Sequence, residues 1–380
     1  MRIADMNKIP FFRPHLTGRE MEFIGEALAS GQMVGDGPFT RKCEAYLRTQ
    51  TGAHRALLTH SCTAALELSA LLLDLQPGDE VIIPSFTFVS TANAFALRGA
   101  VPVFVDVRAD TINLDETLIE AAITPRTRAI AVVHYAGVSC AMDEINAIAK
   151  AHGLYVVEDA AQGIGATYRG QALGTLGTLG ALSFHATKNI ISGEGGALLV
   201  NDETLIERAE IIREKGTNRS RFIRGEVDKY TWQDIGSSFL PSDVTAAMLM
   251  AQLPEIDAIN AKRLAIWSRY HAAFAQAERA GRFRRPGMPQ DCGGNAHIYY
   301  LVFDSLDERE RARHTLAEAG IAATAHYAPL HLSPGAARFG RNSGAMPVAV
   351  SVADGILRLP IYPDLTADEE ARIIEAVLAL

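Results

Sequence analysis

The sequence predicts an α/β protein: a mostly parallel sheet of seven strands flanked by helices, followed by a smaller α+β C-terminal domain. Three observations carry this. Over the first two-thirds of the 380 residues, short runs of valine, isoleucine, leucine and alanine alternate with helix-like stretches. The short runs are apolar at nearly every position, as strands covered on both faces are. After about residue 240 the pattern changes to one long helical stretch and then fewer, shorter apolar runs. The expected division is a large domain over 1–250, including the N-terminal segment, and a small one over 251–380.

The elements follow in chain order. Candidate strands are Ala56–Leu58, Val81–Ile83, Val101–Val105, Ala129–His134, Leu154–Glu158, Ala181–Phe184 and Ala197–Val200. Between them the pattern places helices at Thr63–Leu75, Ser90–Arg98, Met142–His152 and Glu203–Lys215. Turn signals such as Pro77-Gly78-Asp79 separate them. Strand–helix–strand alternation implies a mostly parallel sheet with helices on both faces. A helical stretch then runs from Ser242 toward Ala280, with Ser242 or Asp243 as its cap and Pro254 interrupting it. Arg284-Arg285-Pro286-Gly287 is a loop. Tyr299–Phe303, Ala322–His326 and a final helix from Thr366 complete the chain.

Composition excludes several classes. Hydrophobic residues are 48% of the chain, too many for a disordered protein. With 36 basic and 44 acidic residues the net charge is −8, which argues against a nucleic-acid partner. No apolar stretch follows Met1, so no secretory leader is expected. No apolar run reaches membrane-spanning length. Cys43, Cys62, Cys140 and Cys292 are scattered and form no CxxC pair, so neither a metal site nor a disulfide framework is expected. A cytoplasmic protein fits best.

The chemistry starts from lysine. Only seven occur, and six sit in polar or helical surroundings. Lys188 instead follows the apolar strand Ala181–Phe184 and precedes the glycine-rich loop Ser192–Gly196. There an amine can lie in a cleft, lose solvation and become a nucleophile. Position alone leaves a snorkelling surface lysine equally open. Asp159 shifts the balance. It ends the strand Leu154–Glu158, and a carboxylate at the C-terminal end of a parallel strand faces the ligand crevice of such sheets. Pyridoxal phosphate needs both groups: a lysine to condense with its aldehyde, and an acid that keeps its pyridine nitrogen protonated. Thr59–Ala65 joins a strand to a helix through small residues, where backbone N–H groups can reach a phosphate. Either aromatic of Ser85-Phe86-Thr87-Phe88 can stack on a ring or fill the core.

The chain resembles the DegT family of sugar aminotransferases, fold-type I pyridoxal-phosphate enzymes. The resemblance runs from Pro10 to about Pro363. It rests on Gly35–Phe39, GDEVIIPSFTFVSTANA from Gly78, VVEDAAQG from Val156, SFHATKN from Ser183, GEGGAL from Gly193 and HYAPLH from His326. Two longer runs, AEIIREKGTNRSRF from Ala209 and GEVDKYTWQDIGSSF from Gly225, narrow it to members that aminate carbon 4 of a dTDP-linked keto sugar for bacterial surface polysaccharides.

The resemblance implies roles. Lys188 would bond the cofactor and move the proton. Asp159 would pair with the ring nitrogen, and Gln162, one helical turn later, would sit by the 3-hydroxyl. Phe88 would stack on the ring face. Cys62 and Thr63 would bind the phosphate through backbone N–H groups, and Ser183 would add a hydroxyl. His326 and His331 are expected on the sugar-nucleotide side of the cleft. His185 reads as a packed histidine. Apart from the resemblance, Arg219 in KGTNRS reads equally as a contact to a diphosphate or the donor carboxylate and as an exposed loop arginine. The amino donor would be L-glutamate and the assembly a homodimer with active sites at its interface. Many relatives carry a G-x-N-x-R-x-S run whose asparagine reaches the other subunit's phosphate. Here the run is Gly236 to Ser242, and Ser238, shorter and with one hydroxyl, takes that place. Some relatives are dehydratases that replace the lysine with histidine. Lys188 favours transamination, and together with Asp159 it argues against a non-catalytic sensor.

Overall fold

The computed structural model describes residues 8–380. The expectation of no leader after Met1 falls mainly on residues 1–7, outside the described part. Among the described residues no helix is long and apolar enough to cross a membrane.

The strands in chain order are β1 (Arg55–Thr59), β2 (Glu80–Pro84), β3 (Val101–Val105), β4 (Thr127–Val133), β5 (Tyr155–Asp159), β6 (Thr167–Tyr168) and β7 (Gln171–Ala172). They continue with β8 (Leu179–Ser183), β9 (Gly196–Val200), β10 (Cys292–Gly293), β11 (Tyr299–Val302), β12 (Arg341–Asn342) and β13 (Ile356–Leu359). All seven expected strands of the large sheet form. The sheet has eight strands, in the order β1-β9-β8-β5-β4-β2-β3-β12. Sequence reading missed the edge strand β12 because two residues, Arg341 and Asn342, show no apolar run. Only β9 runs against the others. Each strand alternates its side chains between two apolar layers. Leu57, Val81, Ile83, Ala131, Val157 and Leu198 face one. Leu58, Ile82, Val105, Val132, Leu182 and Leu199 face the other. That double coverage is why the runs do not alternate apolar with polar.

Helix ends follow local backbone chemistry. The helix expected to Leu75 spans Cys62–Leu72 and stops before Asp74, whose φ is +52°. The stretch expected over Glu203–Lys215 begins as a 3₁₀ turn and is α-helical over Ile206–Arg213. Pro254 divides the long stretch into the helices Asp243–Gln252 and Ile256–Ala273, joined by a 3₁₀ turn. Ser242 caps the first by accepting from the Thr245 N–H. Thr366 and Glu369 form a reciprocal capping box on the last helix, Ala367–Leu378.

In the C-terminal part, β11 pairs antiparallel with β13 over a core of Tyr270, Phe274, Leu301, Leu316, Leu359 and Ile373. The apolar run Ala322–His326 is an extended segment that makes a single bridge from Thr324 to Arg358.

The C-terminal part is tied to the sheet by charge. Glu80, fully buried at the start of β2, accepts from both Nε and Nη2 of Arg341 (2.9 and 2.7 Å), from Arg126 (2.7 Å) and from Thr124 (2.7 Å). The Arg341 hydrogen bonds hold its carboxyl down at about 2. Replacing Glu80 with Gln should cost about 3 kcal/mol at neutral pH, the low end for a broken buried pair because Arg126 and Arg341 reach water. The folded carboxyl titrates below its unfolded value of 4.5, so the stabilisation is present above that value. The gap between wild type and Glu80→Gln should close as pH falls from about 4.5 toward about 2, measured by urea unfolding.

Candidate active site

The register of the sheet brings its chemistry to one edge. Asp159 pairs with Val133 and Ala181, and Ser183 and Thr59 both pair with Gly196. The ends of β1, β5 and β8 and the start of β9 therefore open together into a cleft of about 590 Å³. The cleft is lined by Cys62, Thr63, Phe88, Asp159, Gln162, Ser183, Lys188 and His326, among others.

One wall is the start of the helix Cys62–Leu72. Ser61 caps it, its Oγ accepting from the Ala64 N–H at 3.1 Å. The N–H groups of Cys62 and Thr63 have no carbonyl one turn back, so they point outward at the positive end of the helix dipole. Thr63 Oγ1 donates to Ser90 Oγ (2.8 Å), and Ser183 closes the same corner. This is an anion cradle made of N–H groups and hydroxyls. Gly196 keeps it open, because a Cβ there would overlap the Cys62 nitrogen and the Ser61 carbonyl. Gly196→Ala should push the helix start off β9 and weaken phosphate binding by at least tenfold, about 1.4 kcal/mol. Cofactor titration of the purified variant checks this.

Asp159 is buried. Its Oδ2 accepts from Thr91 Oγ1 (2.7 Å) and its Oδ1 from the Ala161 N–H (3.1 Å). Burial raises its pKa, opposed by those hydrogen bonds and by the charges of Lys188 and His134. Lys188 lies on the cleft floor after β8. Desolvation lowers the pKa of its amine, and the nearby Arg358 lowers it further, while Cys62 and Asp159 oppose. A desolvated amine facing a buried carboxylate is the pair that sequence reading sought.

Gln162 is on a turn rather than a helix. It accepts from the Ala136 N–H (2.7 Å) and donates to the Tyr327 hydroxyl (3.2 Å). Of the two aromatics after β2, Phe86 is core and Phe88 is 55% exposed on the cleft wall, its ring 6.1 Å from Tyr327. His326 accepts or donates at Nδ1 to the Tyr135 hydroxyl (2.7 Å) and stacks on Tyr327 (3.6 Å). Burial, with Arg358 and Lys188 nearby, pushes its pKa down to about 2, so the ring is neutral.

Three expectations need correcting. His331 is not in the cleft; its Nδ1 bonds Ser85 Oγ (2.6 Å) beside a separate shallow hollow. Pro329 and a 3₁₀ turn after it swing the chain away. Arg219 faces Asp36 and Glu214, each 3.6 Å away, outside the cleft. Ser238, expected to serve the other subunit, is exposed and bridges Glu214. His185 is not packed: it lies on the rim, 44% exposed, bonded to Thr187. Sequence reading missed Thr91, Tyr327 and Arg358, all lining the cleft or contacting its residues. Arg358 carried a signal, a lone arginine inside the apolar strand Ile356–Leu359. Among the described residues no cluster of three or more histidine, cysteine or acidic groups is placed to hold a metal.

These parts fit pyridoxal phosphate: an anion cradle, a carboxylate and an amine whose pKa burial lowers, in one cleft. Comparison with known proteins agrees. Residues 14–378 match the DegT/DnrJ/EryC1/StrS aminotransferase family, and the chain belongs to that family. It is a pyridoxal-phosphate-dependent sugar aminotransferase of polysaccharide or sugar biosynthesis. The chain is similar to the spore coat polysaccharide biosynthesis protein SpsC of Bacillus subtilis, 35% identical over 97% of this chain and 96% of that one. Among solved structures it is similar to DesV of S. venezuelae, 33% identical with a TM-score of 0.88 and 97% of each chain covered. It is also similar to the PLP-form of Spr1654 from Streptococcus pneumoniae, 29% identical with a TM-score of 0.88 and 97% of each chain covered.

Proposed function

We propose that this chain is a dTDP-4-amino-4,6-dideoxygalactose transaminase. It moves the amino group of L-glutamate to the 4-keto carbon of dTDP-4-keto-6-deoxy-D-glucose. The products are 2-oxoglutarate and dTDP-4-amino-4,6-dideoxy-D-galactose, made in the cytoplasm for lipopolysaccharide O-antigen or enterobacterial common antigen. The observation that carries transamination is the Lys188–Asp159 pair at the edge of one sheet. The runs from Ala209 and Gly225 support the choice of sugar, by resemblance.

When bound, the cofactor supplies an aldehyde that takes up an amine and a ring that stores the electron pair left when a C–H bond breaks. The chain's residues do the rest. The N–H groups of Cys62 and Thr63, with the Thr63 and Ser183 hydroxyls, hold the phosphate. Asp159 faces the ring nitrogen and retains its proton there. Gln162, fixed by Ala136 and Tyr327, presents its amide to the ring hydroxyl. Phe88 covers the ring face. Lys188 Nζ takes the α-proton of glutamate in the first half-reaction and delivers a proton to sugar carbon 4 in the second. His326 lies on the substrate side as a neutral contact. We propose a homodimer in which Ser238 of each subunit serves the other's site.

The test is NMR identification of the product formed from dTDP-4-keto-6-deoxyglucose, glutamate and cofactor-loaded protein. A galactose-configured 4-amino sugar is expected. Bleaching of the yellow cofactor by glutamate without that product would keep the transaminase and overturn the sugar, in favour of another nucleotide-linked 3- or 4-keto sugar. No bleaching by glutamate would overturn the donor.

A further inference from the structure

A buried polar network beside the cleft fixes one histidine that no step of the proposed reaction uses. His297 is buried and lines the cleft. Its backbone is held on both sides. Arg263 donates from Nε to the Ala296 carbonyl (3.0 Å) and from Nη2 to the His297 carbonyl (2.6 Å). Asn295 Oδ1 accepts from the His297 N–H (3.0 Å), while its Nδ2 donates to the carbonyls of Gln162 (2.8 Å) and Ile164 (3.0 Å). Ala296, between them, sits at φ +50°, a left-handed conformation that a side chain disfavours and these contacts maintain.

The same network decides which ring nitrogen carries the proton. Asn189, the residue after Lys188, donates from Nδ2 to the Asn295 carbonyl (2.9 Å) and to Asn260 Oδ1 (2.8 Å). Asn260 Nδ2 donates in turn to the Ile164 carbonyl (3.2 Å). Backbone carbonyls only accept, so neither amide can be turned over. Asn189 Oδ1 therefore faces His297 Nδ1 (2.9 Å), and Nδ1 must be the donor. Burial pushes the pKa of the ring well below its ordinary value, and among the surrounding cations Lys188 adds most to this. The ring takes no second proton, and Nε2 keeps its lone pair. No described residue bonds Nε2, which opens on the cleft.

We infer that His297 Nε2 accepts a hydrogen bond from the sugar hydroxyl beside the reacting carbon, and so selects sugars that carry a hydroxyl at carbon 3. This deepens the function proposed above and rests on a keto sugar reacting at carbon 4. A neutral acceptor cannot hold a carboxylate; it recognises a donor. The N–H groups of glutamate belong to the nitrogen that condenses with the cofactor, and its other polar groups are anionic. The sugar is different. Its carbon 4 must come to the Lys188 amine, which delivers the proton there, and the hydroxyl on the neighbouring carbon 3 arrives with it. The Asn189 side chain ties the imidazole to the residue next to Lys188, so the acceptor and the proton donor keep one spacing. A buried acceptor built for a hydroxyl rejects the analogue that lacks it, because the acceptor is then left unpaired.

The test follows bleaching of the cofactor-loaded protein in a single turnover by dTDP-4-amino-4,6-dideoxygalactose, the reverse of the second half-reaction, and by its 3-deoxy counterpart. Wild type should prefer the 3-hydroxy sugar roughly 5- to 150-fold in the second-order rate of bleaching. His297→Asn keeps an N–H toward Asn189 and withdraws the acceptor from the cleft, and its preference should fall below about threefold. His297→Gln, whose Oε1 stands near the place of Nε2, should recover a preference, which a ring that only packs would not. Circular dichroism and cofactor occupancy confirm the fold of each variant. Equal preference in wild type and His297→Asn, or no preference in wild type, would overturn the assignment alone. Wild type bleached by glutamate and by neither sugar would overturn the proposed sugar, and the assignment with it.

Discussion

Lys188→Ala is expected to abolish turnover, with a rate at least about 10⁴-fold below wild type. Two losses combine. The amine that bonds the cofactor is gone, and so is the group that carries the proton in both half-reactions. Neither buried histidine of the cleft can substitute: His326 is held neutral with its pKa near 2, and His297 is pushed well below its ordinary value by burial and by Lys188, Arg263 and His326. The variant should still fold and bind the cofactor, because the cradle of Cys62, Thr63 and Ser183 and the Asp159 carboxylate remain. Its absorbance should be that of the free aldehyde. Stability supplies an independent check on the cofactor-free chain. Desolvation lowers the folded pKa of Lys188 below 10.5, so its charge opposes folding below that pH. Above pH 10.5 the variant and wild type should melt alike, and the variant's advantage should grow as pH falls. Full turnover by Lys188→Ala would overturn the catalytic assignment.

The strands of the sheet were legible because double burial writes itself as unbroken apolar runs. Val81–Ile83 and Ala129–Val133 needed no other signal. The site residues were legible where strand ends fix them: Asp159 and Lys188 follow from topology, since parallel strands present their C-terminal ends to one crevice. What stayed hidden depends on contacts distant in sequence. Thr91 is an ordinary helix residue until Asp159 lies 2.7 Å from its hydroxyl, 68 positions away. The strand β12 exists because Arg341 meets Glu80 across 261 positions. His331 was misplaced for the same reason. The motif HYAPLH gives two histidines five apart, but only the path after Pro329 decides that the second bonds Ser85 and leaves the cleft. Arg219 lies beside acidic Asp36 and Glu214, drawn from different segments.

Asp159→Asn should give the second-largest loss, because the carboxylate's charge, rather than its shape, is what the site needs. An asparagine can keep its oxygen on the Ala161 N–H and turn its amide nitrogen to donate to the Thr91 hydroxyl, so the fold around it is preserved. It cannot hold a proton on the ring nitrogen by charge. Leaving that buried partner uncompensated costs about 3–5 kcal/mol, or roughly 10²- to 10⁴-fold in the glutamate-driven half-reaction. Stopped-flow bleaching reads that rate directly. The cofactor-free protein should respond in the opposite sense. Burial raises the folded pKa of Asp159 above 3.8, so its ionised form opposes folding at neutral pH. A raised carboxyl favours the folded state below the unfolded pKa, and that advantage is lost as pH rises through the folded value. Cofactor-free wild type should therefore gain stability on mild acidification relative to Asp159→Asn, and the variant should melt higher at pH 7. A charge that weakens the empty protein and is required by the loaded one is placed for its ligand. An unchanged bleaching rate in the variant, with cofactor bound, would show that Asp159 holds only the backbone at the end of β5.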